Sequence, residues 1–314
     1  MIINNYGYAC INHGLNTSTP RVSSSRTIRK ATYDREGLEK AGELSLLNLK
    51  DLLVILKWNE ENNVKLFRMS SDIFPWKVEW DFNDLKEKKE VFSLLSEIGN
   101  YAKKNNHRLT FHPGPYNKLC SSNSKIISNT IKELEMHSEI MDLMGLSQTF
   151  YNNINIHIGA SYGNRELAAK VWVKNWKTLS DGLKKRLTLE NDDKKALFSC
   201  EHIYKYVYEE IGIPIVFDFH HHRCYSENPE ETEQSMAEIA LTTWPKEITP
   251  KFHWSESRRD ELNDPLVPIS SHSDLCVGPL PKYNLSRSVD LMIEAKRKEL
   301  AMFSLINNEN TNTN

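Results

Sequence analysis

No cysteine pair in this chain is spaced as a metal knuckle or a redox dithiol. The five cysteines, Cys10, Cys120, Cys200, Cys224 and Cys276, are scattered, odd in number and free of any C-x-x-C. That speaks against a thiolate zinc site or a disulfide scaffold and fits free thiols in a reducing, intracellular compartment, cytoplasm or nucleus. No apolar run approaches the roughly 18 residues of a membrane span. The start, MIINNYGYACINHG, lacks a signal-peptide pattern. Neither sign of charge is in excess: 40 Lys and Arg stand against 42 Asp and Glu, a net charge of −2. A polyanionic partner must therefore be held by a local basic patch. What remains, 39% hydrophobic and 26% charged over 314 residues, is ordinary globular protein long enough for a full core.

Short apolar strands alternate with amphipathic helices almost to the end. Strands are predicted at Tyr6–Ile11, Val64–Met69, Arg108–Phe111, Asn155–Ile158, Leu187–Glu190, Pro214–Asp218, Lys251–Trp254 and Val289–Glu294. Helical spacing appears at Leu49/Leu52/Leu53/Leu56, Val91/Leu94/Leu95/Ile98, Ile127/Ile131/Leu134, Tyr204/Val207/Tyr208/Ile211 and Met236/Ile239/Ala240/Thr243. Only the segment between the seventh and eighth strands lacks a convincing long helix. Eight β/α units without an internal linker predict an α/β protein with a single-domain TIM barrel over residues 1–305. The tail at 306–314, mostly NNENTNTN, reads as polar and disordered.

In such a barrel the chemistry sits where strands end. The stretch IVFDFHHH, Ile215 to His222, shows the pattern: a buried strand that closes on an acid and three imidazoles. The other strand ends carry Asn12, Ser70-Ser71-Asp72 with Glu79 beyond, His112, His157, Glu190, His253 with Lys251 two residues before it, and Glu294, while His272 lies in the long loop after the seventh strand. A merely solvated rim would be richer in Ser, Asn, Lys and Gly. Imidazoles and carboxylates without thiolates suit Mn²⁺, Zn²⁺ or Fe²⁺. The donors exceed the needs of one ion, so two or three divalent cations are expected, with Glu190, Asp218 and Glu294 able to bridge. Ions about 4 Å apart stabilise both the attacking and the leaving oxygens of a displacement at phosphorus. Lys251 and His253 share a strand face and point into the barrel mouth. Lys251 reads either as a neutral, reactive amine beside the cations or as a surface amine at a strand start.

The ordered series GYACIN, LFRMSSDIFP, LTFHPGPY, NIHIGASYG, LTLENDD, VFDFHHH, PKFHWS, ISSHSD and DLMIEAKRKE resembles the UV damage endonuclease family from about Tyr6 to Glu299. The resemblance implies an endodeoxyribonuclease that hydrolyses a phosphodiester in damaged double-stranded DNA, with no obligatory protein partner and no membrane. The cut falls immediately 5′ of cyclobutane dimers and 6-4 products, and also at abasic sites. It implies metal ligands at His112, His157, Glu190, Asp218, His221, His253, His272 and Glu294, with Mn²⁺ favoured and Zn²⁺, Mg²⁺ or Co²⁺ admissible. Lys251, Glu190 and Glu294 are the expected catalytic groups, and Lys251 matches a lysine that can be carboxylated. Tyr8 and Asn12 match residues lining a lesion pocket, and Tyr116 an aromatic wedge. Two departures stand out. Relatives carry histidine where this chain reads WKVEW, so Glu79 is the expected substitute ligand, with Asp72 its rival. Many read HPGQ where this chain has HPGPY, so Pro115 removes an amide next to the wedge.

A substrate read by deformability needs phosphate contacts and an intercalating side chain. Basic candidates are Arg21, Arg26, Arg29 and Lys30 near the start, and Arg258 and Arg259 after the seventh strand. Competing readings are a dedicated abasic-site endonuclease, a metal-dependent sugar isomerase or epimerase on the same barrel, and a non-catalytic damage-binding module.

Overall fold

The computed structural model describes residues 1–228 and 230–312. Eight strands follow in chain order: β1 Ile3–Ala9, β2 Leu66–Arg68, β3 Arg108–Thr110, β4 Ile154–Ile156, β5 Leu187–Glu190, β6 Ile215–Val216, β7 Lys251–Trp254 and β8 Val289–Ile293. All pairings within the two sheets are parallel, in the orders β3-β2-β1-β8-β7 and β4-β5-β6. Parallel bridges Phe111 to Ile154 and Asp218 to His253 join the sheets at both seams. The ring is closed, and the expected TIM barrel is the fold.

Strands β3 to β8 are buried at every residue because the barrel is packed on both faces there, whereas only the last three residues of β1 are buried. The helix Lys88–Lys104 shows how the outer layer is held: Val91, Leu95, Ile98 and Ala102 recur at three- and four-residue steps and are all buried. Asn123, Asn164 and Thr232 cap the helices Ser124–Leu143, Arg165–Trp176 and Glu233–Thr242 by accepting from backbone N–H groups of the first turn. Gly7 is required by closeness rather than by conformation. A Cβ there would stand 2.4 Å from the Leu66 carbonyl oxygen, so any side chain would push β1 off β2. On the barrel axis, the buried Arg108 guanidinium meets Asp290 at 2.8 Å and donates to the Thr249 and Tyr151 carbonyls.

Most strand bounds shift by one or two residues from those expected, and three differences go further. The first strand begins at Ile3 and ends at Ala9, because Cys10 adopts a left-handed backbone (φ 67°) that breaks it. The Arg165–Trp176 helix was not anticipated; its stripe is short, with Ala168, Ala169, Trp172 and Val173 buried. The helix Glu299–Asn312 runs through most of the segment expected to be disordered. Polar side chains do not prevent this, since the upstream turns bury Ala301, Met302 and Leu305, while Tyr6 donates to Glu309 at 2.6 Å and Asn308 to the Val277 carbonyl at 2.9 Å. Residues 313–314 of that segment lie outside the described residues.

Candidate active site

The strand ends deliver their polar side chains to one place. Glu190, the last residue of β5, is fully buried and stands at its centre. His112, two residues past β3, approaches Glu190 Oε2 through Nε2 at 3.0 Å. His157, one residue past β4, lies with Nε2 3.8 Å from Oε1. His253 on β7 places Nδ1 3.1 Å from Glu190 Oε2 and 3.1 Å from Glu294 Oε1. Asp218 caps the short helix Phe219–Cys224 by accepting from the His221 backbone at 2.8 Å, which fixes the turn that swings His221 Nδ1 to 3.2 Å from Glu190 Oε1. These side chains form three overlapping groups whose donor atoms lie within 4.8 Å of one another: His112–His157–Glu190, Glu190–Asp218–His221 and Asp218–His253–Glu294.

The charges in this mouth set one another. Burial alone would raise the Glu190 carboxyl, but His253, His157 and His112 reverse that and hold it well below the carboxylate range. Burial likewise opposes ionisation of Glu294, and Arg68 with His253 overcomes it. Burial pulls the His157 imidazole down, yet Glu190 and Asp192 together lift it to about 9. His112 is pushed down by burial despite Glu190 beside it. Lys251 is wholly buried, and desolvation with Arg108 and Arg68 nearby lowers its ammonium to about 7.

Several of these buried atoms make no hydrogen bond: Glu190 Oε1, Asp218 Oδ2, both ring nitrogens of His253, and Lys251 Nζ. Buried polar atoms are ordinarily satisfied, and leaving them bare costs about 1–3 kcal/mol each. Convergent lone pairs of oxygen and imidazole nitrogen that the protein leaves without hydrogen bonds are what divalent cations satisfy. The residue set fits such ions.

Not every expected residue joins the cluster. His272 sits at its edge, its ring 6.1 Å from that of His221 and 4.9 Å from that of His220, and its buried Nδ1 has no hydrogen-bond partner. Glu79 belongs to none of the three groups. It is exposed on the short turn Lys77–Glu79, which follows a left-handed Trp76 (φ 57°), and lines a cavity of about 510 Å³ with Trp76, Tyr116 and Glu133. Its rival Asp72 is outside the groups as well. Tyr8 and Asn12 do not line an open pocket either. Both are buried, and Asn12 donates to the Tyr8 hydroxyl at 3.0 Å while that hydroxyl donates to Asn59 at 2.6 Å. Tyr116 is 86% exposed on the loop after β3, beside exposed Pro115. Arg26 and Arg258 are not free cations, since each is held in an ion pair, with Asp51 at 2.6 Å and with Asp274 respectively.

Other residues at the site were passed over in the sequence. Asp192 sets Oδ1 3.1 Å from His157 Nδ1. The Asn191 carbonyl accepts from His221 Nδ1 at 2.9 Å, and the Asn191 side chain ties β5 to Asp218 through both backbone groups. Arg68 ends β2 and pairs with Glu294. The signal for Asn191 and Asp192 was adjacency to Glu190 in LENDD. For Arg68 it was a lone cation closing an apolar strand.

A closed parallel barrel with a titratable cluster at the strand ends defines a TIM barrel whose mouth is a candidate active site. Solved structures of endonuclease IV from Thermus thermophilus (11% identical, TM-score 0.57, covering 83% of this chain and 93% of that one) and of the Escherichia coli 3-keto-D-glucoside 4-epimerase YcjR (12%, 0.51, 81% and 88%) share this fold. The chain belongs to the UV-endonuclease UvdE family, which it matches over residues 4–313. It is 35% identical over 305 residues to the UV-damage endonuclease of Schizosaccharomyces pombe, covering 95% of this chain and 49% of that protein. It is 32% identical over 306 residues to the UV DNA damage endonuclease of Clostridium perfringens, covering 96% and 69%. The crystal structure of SacUVDE superimposes with a TM-score of 0.81 at 27% identity, covering 98% of this chain and 99% of that one. The chain thus spans about half the length of the fission-yeast relative. Among the described residues no helix is long and apolar enough to cross a membrane.

Proposed function

We propose that the protein is a metal-dependent endodeoxyribonuclease that hydrolyses the phosphodiester immediately 5′ of UV photoproducts, cyclobutane dimers and 6-4 products, and at abasic sites in double-stranded DNA. The observation that carries this is the convergence of His112, His157, Glu190, Asp218, His221, His253 and Glu294 into three overlapping donor groups at the barrel mouth. Family membership supports the DNA substrate. Divalent cations held there, with Mn²⁺ favoured by an all-nitrogen-and-oxygen donor set, would supply Lewis acidity toward the phosphate and its attacking and leaving oxygens.

The chain's own residues do the rest. Glu190 and Asp218 each belong to two of the three groups, so each would be available to two cations held there. Asp192 at His157 Nδ1 leaves Nε2 of that ring turned toward Glu190, and the Asn191 carbonyl accepts from His221 Nδ1 and so fixes the second ring beside the same carboxylate. His272 would join at the edge beside His221. Lys251 lies buried beneath the cluster, where a neutral amine or its carbon dioxide adduct would extend the donor set. Tyr116, on the stiff Pro113-Gly114-Pro115 turn, stands free to enter a weakened base stack, and a lesion that is already partly unstacked is the cheapest to open.

The test is nicking of UV-irradiated supercoiled plasmid by the purified chain. Activity should vanish on exhaustive chelation and return with Mn²⁺. Full activity without metal would overturn the reading, as would epimerase activity on free sugars with no nicking.

A further inference from the structure

Arg68 sits among the proposed ligands yet can ligate nothing itself. From the end of β2 its guanidinium reaches past β1 to Glu294, just beyond β8, and pairs with Oε1. That same oxygen lies 3.1 Å from His253 Nδ1. The carboxylate atom that would complete the Asp218–His253–Glu294 group is therefore already in contact with a fixed positive charge. Arg68 Nε is buried without a hydrogen-bond partner, so the contact is one-sided rather than a bidentate fork. The side chains are only 14% and 12% exposed, which puts the pair where charges are weakly screened.

We propose that Arg68 is a positioning residue that occupies the Glu294 carboxylate in the metal-free protein and competes for it with the divalent cation of the Asp218–His253–Glu294 group. This rests on the reading that the cluster holds cations. Two opposing consequences follow from Coulomb's law. Without metal, the guanidinium offsets three carboxylates, Glu190, Asp218 and Glu294, crowded into one buried mouth. With metal, the same guanidinium repels the incoming ion and draws charge from its ligand. Linkage makes the two effects reciprocal: whatever the ion loses through Arg68, the Arg68–Glu294 contact loses when the ion binds. The group nearest Arg68 should accordingly be the last to fill. A merely structural arginine behaves differently, since its removal would destabilise the protein with or without metal and would loosen ion binding.

The experiment compares chelator-stripped wild type with Arg68→Met and Arg68→Lys, by calorimetric Mn²⁺ titration and by thermal unfolding with and without saturating Mn²⁺. For Arg68→Met the weakest Mn²⁺ step should tighten by about tenfold or more. Its metal-free Tm should fall by about 5 °C or more, and the deficit should shrink in Mn²⁺. Arg68→Lys, which keeps the charge, should stay near wild type in both. If Arg68→Met is too unstable to titrate, the double variant Arg68→Met/Glu294→Gln should recover metal-free stability, because neither charge is left alone, while the weakest Mn²⁺ step disappears. Unchanged or looser Mn²⁺ binding in Arg68→Met, or a double variant no more stable than Arg68→Met, would overturn the proposal while leaving the metal reading intact. Failure of wild type to bind Mn²⁺ at all would overturn both.

Discussion

Glu190 is the residue on which the site turns, because its two oxygens face four imidazoles. Glu190→Ala should lose bound metal and should slow nicking by at least about 10³-fold, equivalent to about 4 kcal/mol of transition-state stabilisation. Metal analysis alongside initial rates on a damaged duplex checks this. A near-normal rate with unaltered metal content would remove Glu190 from the mechanism. This residue was legible in the sequence, as were six of its neighbours, because a barrel sends its strand-end side chains to one rim. The sequence could not show which neighbour each would face. Asp192 and Arg68 act through His157 and Glu294, contacts between residues 35 and 226 positions apart, and no local pattern records such distances. Tyr8 and Asn12 stand where the strand-end reading put them, and the sequence could not show that they are buried and bond to each other, with the Tyr8 hydroxyl also donating to Asn59 Oδ1.

Two elements carry separable consequences. The loop after β3 is pinned by Asn117, whose backbone and side-chain N–H groups both donate to the Gly114 carbonyl, at 3.2 and 3.0 Å, leaving Tyr116 projecting from a stiff base. Tyr116→Ala should weaken binding of a photodimer duplex by about 1–3 kcal/mol, a typical stacking contribution, and should affect an abasic duplex less, with metal content unchanged. Equal losses on both substrates would assign the opening of DNA to another residue. The helix Ser124–Leu143 buries His137 completely, with Nδ1 held by the Glu133 carbonyl at 2.7 Å and the ring edge-on to Phe111. Burial lowers its imidazole from 6.5 to about 4. The unfolded chain therefore takes up the proton more readily than the folded one. The stability this residue contributes is intact above pH 6.5 and is lost as pH falls toward 4. Urea unfolding of metal-stripped protein should show wild type losing about 3 kcal/mol more than His137→Gln across that window. Parallel pH profiles for the two proteins would contradict this.

At the scale of the whole molecule, eight strand and helix alternations were enough to indicate the barrel, because each unit buries one face against the next and the count alone selects closure. What escaped were places where a local conformation redirects the chain. A left-handed Cys10 ends β1 at Ala9, two residues before the expected end, and Glu79 stands exposed on the Lys77–Glu79 turn, outside the three donor groups. The polar C-terminal segment continues a helix whose upstream turns are buried, which composition alone does not record. None of these alters the convergence of carboxylates and imidazoles that the closed ring enforces. The central claim is that this convergence cuts damaged DNA with the help of divalent cations. The most direct measurement is incubation of an end-labelled duplex bearing one thymine dimer with the purified chain, with and without Mn²⁺ after exhaustive chelation. A single Mn²⁺-dependent product ending immediately 5′ of the dimer, and none from the undamaged duplex, is expected. Equal cutting of both duplexes, or an uncut dimer duplex in Mn²⁺, would contradict the account.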